Sequence, residues 1–307
     1  MTTPFTIVQV DHFDHYLLNT NLEAALDKLN WRITSKNYKE LFIALSDQTI
    51  EGIGISWANP NHPTAKYVHF ISSKPIPQLI EKLIEKSAPQ NKIIFSCWED
   101  EENKIDLITE FNFKLFRKTY MESYTIEFLQ QNLQGIQEEK HTYSLKQLLL
   151  NPLLEKDLFA LLKHNYEQTH LRNEAKNVSW EAWRDMLLSD APDLNLSSVI
   201  VENNIVCAYI FLHQTEKHHY EIGWIGKRND YNLHALLKKQ LTELAALGIK
   251  TVEFEVDTTD FFAYEFAKLL NLDNKKSWNS YILNVKKKKE ALSKYKEIND
   301  LPNVELK

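Results

Sequence analysis

Apolar residues recur along the chain with two periods, 3.6 in some stretches and 2 in others, and their alternation predicts an ordered series of helices and strands. In the first half a helical stretch from about Leu22 to Leu29 precedes two strand-like runs, LFIALS from Leu41 and IEGIGISW from Ile50. Asp47 and Gln48 separate them, so the two runs are expected to form a hairpin. Strand KYVHFIS from Lys66, helix IPQLIEKLIEK from Ile76, strand KIIFSCW from Lys92, a helix over about Asn103 to Glu110 and an extended segment from Lys114 to Ile126 follow.

The second half repeats this order. TYSLKQLL is read as short and extended, and helices are expected from Leu153 to about Gln168 and, capped by Ser179, from Trp180 to Leu188. A hairpin of SSVIVEN and IVCAYIFLHQ turns at Asn203 and Asn204, residues that tolerate a left-handed backbone. Strand HYEIGWI from His219 runs through KRNDYN into helix LHALLKKQLTELAAL, which stops at Gly248. Strand TVEFEVD, helix FFAYEFAKLL and a strand over about Ser280 to Val285 complete the set. The repeated order predicts a duplication: domains over residues 1–128 and 142–285, a polar linker LQQNLQGIQEEKH over 129–141, and a charged tail over 286–307. Each domain is expected to be α/β (α+β), a mixed, mostly antiparallel sheet flanked by helices.

Charge and composition narrow the function classes. Among 307 residues, 42 acidic against 36 basic give a formal charge of −6, so no broad cationic face is available for a phosphate backbone and nucleic acid is not the expected partner. Cys97 and Cys207 lie inside apolar runs, as reduced core thiols of a cytoplasmic protein do. No window approaches 18 apolar residues and the N-terminal stretch lacks the pattern of a secretory signal, so a soluble protein without a membrane partner is expected. His218 and His219 are neighbours on a strand and face opposite sides, and His12 and His15 lack accompanying ligands, so no metal is expected. Trp57 and Trp224 are each expected near the ligand end of a sheet, as candidates to line a substrate cleft between the domains.

The strand, loop and helix between His219 and Leu247 is where chemistry is expected, because a helix opening offers unpaired N–H groups and a positive dipole to an anion. GWIGKRNDYNLHALLKKQL and DFFAYEFAKLLNL resemble two successive motifs of the GNAT family of acetyl-coenzyme A-dependent N-acetyltransferases. In that family an Arg/Gln-x-x-Gly-x-Gly/Ala loop holds the coenzyme diphosphate, and the strand before it splays from its neighbour. Arg228 falls on the Arg/Gln position, while Tyr231 and Leu233 replace the two small residues. In the later motif Asp260 stands for Asn, Ala263 for Ala, Phe266 for Leu, Asn271 for Gly and Leu272 for Phe, and Ala267 replaces a frequent catalytic Tyr. The first half is a fainter copy, with Asn112 and Phe113 at the Gly-Phe turn and Pro75 and Pro77 removing amide donors from its loop.

The resemblance implies acetyl-coenzyme A as the cofactor, bound by Ile225, Gly226, Arg228, Asn229, Asp230, Tyr231, Asn232, Leu233, Asp260 and Ala263, and a small-molecule amine as acceptor. For proton transfer the candidates are Glu221 on the strand before the loop, His219 two residues earlier on the same side, and Tyr264 one turn before the vacant Tyr position. The chain is expected as a monomer or homodimer. Tyr231, Leu233 and Ala267 also support a second reading, a non-catalytic GNAT-like protein that binds a small ligand or a protein.

Overall fold

The computed structural model describes residues 5–13, 17–87, 91–228 and 230–285. His15, the loop residue Asn229 and the tail 286–307 lie outside the described residues. The chain forms two compact units, one of residues 1–116 and 279–307, the other of residues 117–278.

In the first unit, β1 (Thr6–Gln9), β2 (Glu40–Ser46), β3 (Thr49–Ala58), β4 (Ala65–Ser72), β5 (Lys92–Trp98) and β12 (Trp278–Asn284) lie in that order across the sheet. The β2–β3 hairpin turns at Asp47 and Gln48, both at positive φ, the backbone that matches the twist of paired strands. Helix α1 (Thr20–Thr34) starts at Asn19, whose side chain accepts from the Asn21 N–H, and lays Leu22, Leu26 and Leu29 on Ile43, Ile53 and Ile55. Helix α2 (Pro77–Ser87) opens on a proline and covers the opposite face. Gly54 lets it come close, since a Cβ there would sit 3.0 Å from both Leu79 and Leu83. Helix α3 (Glu102–Glu110) adds Leu107 and Ile108 to the same layer.

In the second unit the order is β6 (Lys114–Thr125), β11 (Thr251–Asp257), β10 (His219–Lys227), β9 (Ile205–Glu216), β8 (Ser198–Glu202) and β7 (Thr142–Ser144). Helix α8 (Leu233–Ala246) buries Leu236, Leu237, Leu241 and Leu244 against one face, where Ile222, Ile225, Val252 and Phe254 lie. Helices α6 (Pro152–Thr169) and α7 (Trp180–Ser189) bury Leu158, Phe159, Leu162, Trp183 and Leu187 against Val199, Tyr209 and Phe211 on the other. Short helices α4 (Ile126–Asn132) and α5 (Leu145–Leu148) complete the unit.

Three expectations are revised. First, the units do not follow the halves of the chain: β6, from the first half, pairs with β11 from Thr119 to Thr125, and β12 supplies Tyr281, Leu283 and Val285 to the first unit's core. Second, the segment 129–141 is not a free linker. Leu129 and Leu133 are buried in the α8-side core, Lys238 Nζ donates to the Ile136 carbonyl at 2.7 Å, and the Glu139 N–H donates to the Ala235 carbonyl. Third, FFAYEFAKLL is a 3₁₀ turn over Ala263–Phe266 with short turns after it, instead of an α-helix. Bonds such as Ala267 N–H to the Tyr264 carbonyl tighten the backbone, while Phe262, Phe266 and Leu270 are still buried.

Candidate functional site

Strands β10 and β11 pair in parallel over only four positions, from His219–Thr251 to Ile222–Phe254. Beyond them each strand continues bound to its other neighbour, β10 to β9 as far as Lys227–Ala208 and β11 to β6 as far as Asp257–Thr119. The two strands therefore part. A bulge coincides with the parting: between Ile222–Leu212 and Ile225–Ile210, Gly223 and Trp224 stand opposite the single residue Phe211. Gly226 sits under Tyr209 and Asn165, where a Cβ would collide with the phenol oxygen and the amide nitrogen. A cleft of about 560 Å³ lies at the open end, with Leu161 and Asn165 of α6, Lys227 and Arg228 after β10, and Phe262 and Glu265 after β11 among its walls. That is the carboxyl end of parallel strands, where open α/β sheets bind ligands. In the first unit β4 and β5 likewise pair over four positions, ending at Val68–Phe95.

The described residues of the loop after β10 are tied to neighbouring elements. Arg228 donates through its backbone N–H to Cys207 O at 2.7 Å and through Nε to Val206 O at 2.9 Å, and its Nη2 pairs with Asp157 Oδ1 at 2.6 Å. Lys227 Nζ meets Glu265 Oε1 at 2.6 Å and donates to the Tyr231 carbonyl at 3.1 Å. Both cations thus hold a carboxylate already. Tyr231 packs on the α8-side core and donates to Glu202 at 2.7 Å, and it does not line the cleft, whereas Asp230 does. Asn232 caps α8, its side-chain oxygen accepting from the His234 and Ala235 N–H groups. Leu233 and Ile225 are buried in the core. Asp260 caps the following turn by accepting from Phe262 and Ala263, and Ala263 is buried. Asn271 and Asn112, standing where the resemblance places glycine, both take left-handed backbone, at φ 53° and 67°.

Glu221 lies on the α6–α7 face of β10, in register with His213 on β9 and Glu253 on β11. Burial raises its pKa above the usual carboxylate range; His213 opposes the shift, while Glu253 and Asp190 add to it. His219 reaches Thr251 Oγ1 at 3.2 Å and Glu253 Oε2 at 3.5 Å, so it is engaged with β11. Tyr264 stands on the 3₁₀ turn, 39% exposed.

Sequence reasoning missed His213, Asp190 and the way they meet Trp224. His213 lies over Gly223, where a Cβ would sit 2.7 Å from Nδ1. Its Nε2 is 3.5 Å from Asp190 Oδ2, as is the Trp224 indole nitrogen. Trp224 packs in turn on Tyr166 and Trp183, with ring centroids 5.5 and 6.2 Å apart. The available signal was the pair of Gly223 with an antiparallel partner strand carrying a histidine, but the bulge sets that register and leaves no mark in the alternation of residues. Among the described residues no group of His, Cys, Asp and Glu is placed to hold a metal ion, and no helix is long and apolar enough to cross a membrane.

No protein-family profile and no curated protein sequence matches the chain. A solved GCN5-related N-acetyltransferase from Sphaerobacter thermophilus matches in structure, with 13% identity, a TM-score of 0.59, and coverage of 92% of this chain and 97% of that one. A functionally unknown conserved protein from Staphylococcus epidermidis (11% identity, 75% and 90% coverage, TM-score 0.46) and a tandem GNAT protein from the clavulanic acid biosynthesis pathway (10% identity, 92% and 99% coverage, TM-score 0.47) are more distant. Along nearly its whole length, therefore, the chain has the fold of a GCN5-related N-acetyltransferase.

Proposed function

We propose that the protein is a cytoplasmic acetyl-coenzyme A-dependent N-acetyltransferase for a small amine, with its active site in the second unit. The observation that carries this reading is the parting of β10 from β11 beyond Ile222 and Phe254, above a cleft at the strands' carboxyl ends. The residues suit such a ligand. Two diverging strand edges offer backbone donors and acceptors to an amide-bearing pantetheine arm, and Lys227 and Arg228 supply cations at the cleft for a diphosphate. When bound, the coenzyme supplies an activated acetyl thioester. Glu221 takes a proton from the acceptor's ammonium, helped by burial that makes its carboxylate a stronger base. His213 lies beside it in register, and Asp190 leads from His213 toward solvent. Cys97 and Cys207, both buried as thiols, accord with a reducing compartment.

A second reading, ligand or protein binding without catalysis, draws on the bonded loop: Lys227 and Arg228 hold Glu265 and Asp157, and Asn232 satisfies the opening N–H groups of α8. Titration calorimetry with acetyl-coenzyme A separates the two. Under the first, binding is saturable, Lys227→Met weakens it, and Glu265→Gln tightens it by roughly threefold to tenfold, because it frees Nζ and removes a competing negative charge. Absence of binding to wild type and Glu265→Gln alike leaves only the second reading. In a thiol-release assay with a panel of primary amines, Glu221→Gln is expected to slow transfer by about 10²-fold or more while leaving coenzyme affinity unchanged. An unaltered rate would remove Glu221 as the base.

Asp260 holds the turn that places Phe262 and Glu265, and burial raises its pKa to about 6. A carboxyl with a folded-state pKa above its unfolded value binds its proton more tightly in the fold. Its contribution therefore favours folding at low pH and is lost as pH rises from the ordinary Asp value through the raised one. Asp260→Asn keeps an acceptor oxygen for both amides and cannot ionise. Its melting temperature relative to wild type is expected to be higher at about pH 7.5 than at about pH 4.5. A difference that stays constant across that range would contradict the assignment.

A further inference from the structure

We propose that Trp31, Arg32 and Trp57 of the first unit form a binding site for a small planar carboxylate, independent of the acetyl-coenzyme A reading. Arg32 lies in the last turn of α1, and its guanidinium carbon stands 4.2 Å from the Trp31 ring centroid and 3.9 Å from that of Trp57. Trp57 is itself stacked on Tyr67 across β3 and β4, at 5.7 Å and 21°. The two indoles and the negative end of the α1 dipole explain why the cation is held there. They do not provide for its N–H edge. A guanidinium carries five N–H donors in a flat fork, and π faces satisfy none of them.

Of the four other arginines, the exposed Arg172 faces solvent, and the three less exposed ones meet that demand with carboxylates. Arg117 pairs with Asp257 at 3.1 Å, Arg184 with Glu155 at 2.5 Å and Arg228 with Asp157 at 2.6 Å. Arg32 has neither an ion pair nor a side-chain hydrogen bond to any described residue. Glu40, on neighbouring β2, is already committed to Lys66 and Ser56. Arg32 is partly buried, which lowers its pKa, and its N–H edge stays within reach of solvent and of a dissolved acceptor. Trp31, 54% exposed, keeps one wall of the site open to solvent.

The chemistry of the walls selects the ligand. With both ring centroids within 4.2 Å of the guanidinium carbon, an acceptor reaches it at the N–H edge. A carboxylate is flat and continues the guanidinium plane as a two-bond fork. A phosphate can take the same fork, but its remaining oxygens are strongly hydrated and gain nothing from indole walls. An aryl carboxylate adds a ring that lies along the same walls.

Tryptophan emission from the full-length protein, titrated at constant ionic strength with benzoate, acetate or inorganic phosphate against a chloride reference, tests the proposal. Benzoate is expected to give a saturable change, acetate a weaker one, and phosphate none beyond chloride. Arg32→Met is expected to weaken benzoate by about tenfold or more, and Arg32→Lys, which keeps the charge but loses the fork, to weaken it severalfold. A structural role alone would lower the melting temperature of these variants without changing the titration. No saturable response in wild type up to about 50 mM benzoate, well above the millimolar range of one charge-assisted fork, overturns the proposal. So does equal benzoate affinity in wild type and Arg32→Lys, or phosphate binding as tight as benzoate.

Discussion

The candidate site depends on a failure of pairing. Two parallel strands in the middle of a sheet ordinarily run bonded along their whole length, because an unpaired buried N–H or carbonyl is costly. Here β10 and β11 separate after four pairs, and each remains anchored on its other side. The bulge at Gly223 and Trp224 changes the register of β10 against β9 at the same point. Gly226 then lets Tyr209 and Asn165 press against the strand from the α6 side. The opening is therefore held by the bulge, by close packing under glycine, and by β9 and β6 on either side. Rigid walls of this kind suit a ligand that must be oriented along its length.

Electrostatics at the mouth of the opening work in a more guarded way. Lys227 and Arg228 lie where an anion would be received, yet Glu265 and Asp157 neutralise them. The Lys227–Glu265 pair, with side chains 13% and 33% exposed, joins the end of β10 to the turn that follows β11. An incoming anion must compete with these carboxylates, so part of its attraction to the cations is offset. The replacements at Tyr231 and Leu233 have a local explanation. Tyr231 anchors the loop to Glu202 and the core, and Leu233 starts the apolar face of α8.

Features set by neighbouring residues were legible in the sequence. The hairpin turns fall at Asp47–Gln48 and Asn203–Asn204 as expected, the two asparagines take the left-handed backbone their residue type tolerates, Ser179 caps α7, and Gly248 follows the end of α8 with φ of 77°. The resemblance placed Asn112 and Asn271 at glycine positions, and the backbone there is left-handed. What the sequence hid depends on contacts across long separations. The pairing of Thr119 with Asp257 and the place of Leu283 in the first unit's core join segments more than a hundred residues apart. The same holds at the site. Arg228 reads as a free phosphate ligand until Asp157, 71 positions away, is seen to hold it, and His213 reads as one polar residue at the end of an apolar strand. In FFAYEFAKLL the apolar spacing identified which residues are buried, but that spacing does not distinguish an α-helix from successive tight turns.

The functional reading stands or falls with coenzyme binding in the gap between β10 and β11. Hydrogen–deuterium exchange of the full-length protein, with and without acetyl-coenzyme A, tests it most directly, because amides on the two diverging edges are the groups a ligand there would engage. Slower exchange in peptides spanning residues 223–228 and 255–262 on addition of the coenzyme is the outcome this account requires. Unchanged exchange along both edges, or protection confined to other parts of the protein, would contradict it.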